Sequence, residues 1–153
     1  MVIVALLAGL LMFDVRPGNM PEPAPKAVRG KGLPEGWKVY RQATPTDVAA
    51  ICRLYGPKAH EFNKSTAQAC AIPALRAIVM PPEGSLPAHV DAAVLDHEHG
   101  HAWGYGHKPN SRFGWVEIEW PAEAVERGLV DILLAPRNHL KRAPRNSLME
   151  DSR

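Results

Sequence analysis

The sequence predicts an α+β protein in which a small mixed sheet packs on one well-defined helix, with a hydrophobic segment at the N-terminus. Three observations carry that expectation. Short alternating or β-branched stretches, WKVYRQA at 37–43, ALRAIVM at 74–80 and WVEIEW at 115–120, are interleaved with helical ones. Fifteen prolines and twelve glycines among 153 residues are too many for an all-helical bundle. A hydrophobic content of 46% supplies one core and little more in a chain of this length. The 18 basic and 16 acidic side chains leave a net charge of +2, which argues against a strongly basic nucleic-acid binder.

Residues 1–13 (MVIVALLAGLLMF) are an unbroken apolar run. As a helix it would span about 20 Å, short of the hydrocarbon core but suited to the apolar region of an export signal. Residues 1–18 are therefore expected to be a signal or a membrane tether, and a buried first element of the fold is the alternative. Residues 19–36 are rich in proline and lack any helical or strand period, so they are expected to be an extended linker. The folded domain is expected over 37–153.

Within it, 37–43 reads as a strand, and Thr46 is expected to cap a short helix that stops at Gly56 and Pro57. Residues 58–70 are polar and unassigned. The strand at 74–80 is closed by Pro81 and Pro82. Ser85 and Pro87 open a strong helix in which Val90, Val94, His97 and His101 form one expected stripe, and Gly104 and Gly106 end it. A strand at 115–120 precedes a helical stretch at 121–134, weakened by Gly128. The tail from 135 to 153 is irregular, and its cations Arg137, Lys141, Arg142 and Arg145 read as a solvated surface. Cys52 and Cys70 are the only cysteines, and an even pair in a small exported domain reads as one disulfide. Such a bond would be worth about 3 kcal/mol in the chain-entropy model. Both cues point to a periplasmic, secreted or membrane-tethered location. No phosphate-binding glycine motif is present.

The chemistry lies in LDHEHGHAWGYGH, residues 95–107. His97 and His101, four apart on a helix, present two imidazoles to one side, where both can reach a single metal ion. Glu98 follows His97 and is placed to take a proton from an attacking water without being a ligand. Gly104 lets the backbone leave the helix sharply and can return His107 as a third ligand. Three neutral imidazoles suit Zn²⁺ and leave a position open, as in a catalytic site. Asp96 is either a solvated helix residue or a partner for a ligand imidazole. His99 points to a different face, while Trp103 and Tyr105 are expected to pack. With seven histidines in the chain, a chance match to the full pattern has odds of about one in ten thousand.

Spelled out, the segment is H-E-x-x-H-x-x-G-x-x-H, and it resembles the metzincin clan of zinc endopeptidases, as a minimal or divergent member of no named subfamily. The resemblance implies His97, His101 and His107 as zinc ligands, Glu98 as general base and Gly104 at the turn. It also implies Met149 as the methionine turn beneath the metal. ALRAIVM occupies the place where the clan keeps an edge strand that pairs with extended substrate, which would make β-augmentation the binding mode. The expected partner is then a peptide or protein substrate, with no nucleic acid. Two other readings stay open: a catalytically impaired zinc-holding module of the cell envelope, and a zinc amidase acting on cell-wall peptides.

Overall fold

A computed structural model of the chain describes residues 20–56, 68–108, 114–119 and 125–136. Residues 1–18, Met149 and the tail cations lie outside them. The elements run β1 (Lys38–Arg41), α1 (Pro45–Tyr55), β2 (Cys70–Ile72), β3 (Ala77–Met80), α2 (Ala88–Ala102), β4 (Tyr105–His107), β5 (Trp115–Glu117) and α3 (Arg127–Leu133). The class is α+β, as expected. No helix among the described residues is long and apolar enough to cross a membrane.

The larger sheet has the order β1-β3-β2, with β1 parallel and β2 antiparallel to β3. The central position of β3 corrects the expectation that ALRAIVM is an edge strand open to substrate. Its four residues are all buried because both faces of the strand are covered. Ile78 and Met80 pack with Val90 and Val94 of α2, whereas Ala77 and Val79 pack with Val48 and Cys52 of α1 and Val130 of α3. The outer strands of this sheet are β1 and β2. A second, two-stranded sheet pairs β4 with β5.

The cap of helix α1 lies two residues earlier than expected. Thr44, not Thr46, caps it: the Thr44 hydroxyl oxygen accepts the Asp47 N–H at 3.1 Å, and Pro45 takes the first turn, where its missing N–H costs nothing. The Cys52–Cys70 disulfide joins α1 to β2 inside the core, with a Cα–Cα distance of 5.8 Å. Arg41 at the end of β1 makes a two-pronged ion pair with Asp91 in the first turn of α2, at 2.9 and 2.7 Å. The Gln42 side chain donates to the Leu134 carbonyl at 2.9 Å and holds the end of α3.

The expected stripe of α2 splits into two rows. Val90, Val94, Glu98 and Ala102, in steps of four, are the buried row. His97 and His101 form the neighbouring half-buried row. The Pro-rich stretch, expected to be an extended linker, lies against the domain from residue 20 onward. Ala24 and Val28 are buried, and Met20 and Leu33 pack on the cluster that includes Val90 and Val94.

Candidate metal centre

The site is built where α2 stops. Helix α2 ends at Ala102, and the Gly104 N–H turns back to the His101 carbonyl at 3.0 Å. Gly104 has φ +88°, a backbone region that side chains other than glycine's disfavour. A Cβ there would also come within 3.3 Å of the Ile118 carbonyl oxygen. The reversal sends β4 back beside the helix, so His107 reaches the row formed by His97 and His101. One ligand atom from each of the three histidines lies within 4.8 Å of the others. The ring centroids stand 4.9 Å (His97–His101), 4.9 Å (His97–His107) and 4.8 Å (His101–His107) apart. The structure thus brings together the three predicted ligands as a group that could hold a metal ion.

Backbone carbonyls set two of the rings. His97 Nδ1 lies 2.7 Å from the Glu22 carbonyl oxygen, and His101 Nδ1 lies 2.7 Å from that of Tyr105. A carbonyl only accepts, so the proton sits on Nδ1 in each ring and Nε2 carries the lone pair. Burial lowers the pKa of His97. It also lowers that of His101, to about 3, with the neighbouring His97 adding to the effect. Both imidazoles are neutral at pH 7, the form that binds metal. His107 Nδ1 is buried and has no hydrogen-bond partner among the described residues. Buried polar nitrogens are rarely left so, and a bound cation at this cluster suits such a ring. The donor set therefore fits a divalent metal.

Glu98 lies on the sheet-facing row of α2, buried, and its carboxylate accepts the backbone N–H of Ala71 in β2. Burial pushes its carboxyl up to about 7, against the opposing pull of that hydrogen bond. Glu98 is not among the grouped ligand atoms. Asp96 is outside the group as well, and its Oδ2 accepts the Ala24 N–H at 2.8 Å. His99 is also outside the group, and its Nε2 accepts the Trp103 indole N–H at 2.9 Å. Trp103 further packs beneath the Lys31 ammonium, 5.1 Å from the ring centroid.

Two residues at the centre were not legible in the sequence. Trp115 faces His107 across the β4–β5 pair, and its ring centroid stands 5.0, 5.0 and 5.1 Å from those of His97, His101 and His107. The four rings therefore form a near-regular tetrahedron. Glu22 supplies the carbonyl to His97, and its carboxylate accepts the Gly114 N–H at 2.6 Å. A histidine opposite an aromatic is a pairing that hairpin register could have suggested. Nothing in the composition around Glu22 marks it. A cavity of about 620 Å³ lined by Trp37, Lys38, Arg76 and Arg127, among others, includes none of the histidines.

No family model, no curated protein and no solved structure matches this chain. The likeness to the metzincin clan accordingly rests on the motif and on the histidine cluster it forms.

Proposed function

We propose that the chain is a zinc-dependent endopeptidase working outside the cytoplasm. The observation that carries this reading is the convergence of His97, His101 and His107 on one point, with Glu98 next to the first ligand on the same helix. Held there, Zn²⁺ would supply Lewis acidity, polarising a carbonyl and lowering the pKa of water. Glu98 would take the proton of the attacking water and return it to the leaving amine. Its release from the Ala71 N–H would free the carboxylate for that task. With β3 enclosed, a peptide would add along β2, the outer strand tied to Glu98. The disulfide supports an oxidising compartment.

The test is metal content per chain, together with hydrolysis of an unstructured protein by wild type and by Glu98→Gln. The reading expects one zinc in both proteins and at least a hundredfold lower rate in the variant, the scale of a lost general base. Equal rates would refute the mechanism.

One observation favours a second reading, a zinc-holding module without catalysis: Trp115 packs against all three histidine rings. Zinc bound in wild type with no cleavage of any peptide in a broad mixture would select it.

A further inference from the structure

We propose that residues 22–25 and Trp115 belong to the metal centre as a positioning strap, orienting His97 directly and His107 through Trp115. The proposal rests on reading the three histidines as metal ligands. Those ligands come from two arms of the chain. Helix α2 carries His97 and His101, and the β4–β5 hairpin carries His107. A centre drawn from two arms holds a metal only as well as the arms hold their spacing.

The strap spans both. On the helix side, the Glu22 carbonyl meets His97 Nδ1 at 2.7 Å, and the Ala24 N–H donates to Asp96 at 2.8 Å. On the hairpin side, the Glu22 carboxylate accepts the Gly114 N–H at 2.6 Å, and the Pro23 carbonyl accepts the Trp115 indole N–H at 2.9 Å. Three consecutive residues thus make four hydrogen bonds, two to each arm. Pro23 and Pro25 restrict the backbone of this stretch, so little chain entropy is lost on docking.

Trp115 completes the link. His107 Nδ1 has no hydrogen-bond partner among the described residues, and its ring stacks on Trp115 with centroids 5.1 Å and planes 27° apart, as it does on His97 on the helix side. Gly100 makes room for the assembly. A Cβ at this position would lie 2.9 Å from Pro25 Cδ and 2.9 Å from Trp115 Cη2. The helix therefore carries a glycine, at a cost in helix propensity, where the strap and the indole both approach. By linkage, a metal that joins the two arms also holds the strap in place.

The experiment uses the full chain and measures zinc affinity by competition with a chromophoric chelator. The visible absorption of the cobalt(II)-loaded protein is recorded alongside. Four variants are compared with wild type: Glu22→Ala, Gly100→Ala, Trp115→Phe and Trp115→Leu. Loss of outer support typically weakens metal binding by about 10–100-fold. That loss is expected for Gly100→Ala and Trp115→Leu, with an altered cobalt spectrum. Trp115→Phe keeps a ring for His107 but loses the indole N–H, and it should fall between wild type and Trp115→Leu. Glu22→Ala should also weaken binding while keeping the near-UV circular dichroism of the folded core, which separates positioning from unfolding. Wild-type zinc affinity and cobalt spectrum in all four variants would overturn the strap and leave the three-histidine site standing. A wild-type chain that takes up neither zinc nor cobalt would overturn both.

Discussion

His97 Nδ1 lies 2.7 Å from the carbonyl oxygen of Glu22, a residue 75 positions earlier in the chain. That single contact fixes the tautomer of the first candidate ligand and ties the N-terminal side of the domain to the histidine cluster. The Tyr105 carbonyl does the same for His101 from only four residues away. One orienting group is therefore local to the motif, and the other is supplied by tertiary structure.

Removing a ligand should separate metal binding from folding. His101→Ala is expected to lose stoichiometric zinc, and His107→Ala to bind it at least tenfold more weakly, the smallest loss expected even for outer-shell changes. Equilibrium dialysis with metal analysis checks both. Zinc retained at full affinity by His107→Ala would remove it from the ligand set.

Gly104→Ala should cost about 1–2 kcal/mol, because an alanine must be held at φ +88° and its Cβ pressed toward the Ile118 carbonyl. Since this residue reverses the chain into β4, the same variant should also bind metal more weakly. Urea unfolding and a zinc titration measure the two effects.

Opening the Cys52–Cys70 bond, whose partners are 18 residues apart, should remove about 3 kcal/mol of stability. For a domain of this size that corresponds to a melting temperature lower by about 10 °C. Thermal melts with and without a reductant test it. An unchanged melt in the presence of fully reduced thiols would contradict the expected contribution.

The Arg41–Asp91 pair gives a pH dependence of known sign. Hydrogen bonding to the Arg41 guanidinium holds the Asp91 carboxyl below its ordinary value. Its stabilisation is therefore complete above the unfolded value, about pH 4, and fades as pH falls through the lower native value. Because the pair is partly exposed, Asp91→Asn should cost about 1 kcal/mol at pH 7. The gap between wild type and variant should narrow as the pH falls below the unfolded value. Melting curves from pH 7 to pH 2.5 follow it, and a gap that widens in acid would reverse the assignment.

The parts legible in the sequence are those whose signals are local. The His97–His101 spacing, the Gly104 reversal and the Cys52–Cys70 pairing each depend on residue type at short separation or on a unique pair. Thr44 and Thr46 both precede plausible first turns, and only Pro45 in the first turn favours the earlier cap. β2 has no local signal, because the three residues Cys70–Ile72 are too short to show alternation. The continuous burial of Ala77–Met80 is the pattern of a central strand, whereas the edge position is only what the resemblance to the clan implies. Glu98 continues the Val90–Val94 row because steps of four residues drift only about 40° around a helix. The strap looks like a linker in the sequence because its prolines suppress every periodic signal. Three of its four hydrogen bonds come from isolated backbone groups, which have no sequence signature, and the fourth from a single glutamate that nothing around it marks.

The strap also sets an order of events during synthesis. Residues 22–25 emerge from the ribosome before any of their partners, Asp96, His97, Gly114 and Trp115, has been made. At roughly 5–20 residues per second they wait for several seconds with nothing to bind. The supported centre closes only after Trp115 has been added. A nascent chain shorter than that lacks the residue that packs on all three histidine rings, so the path of the polypeptide acts as a timer on the assembly of the cluster.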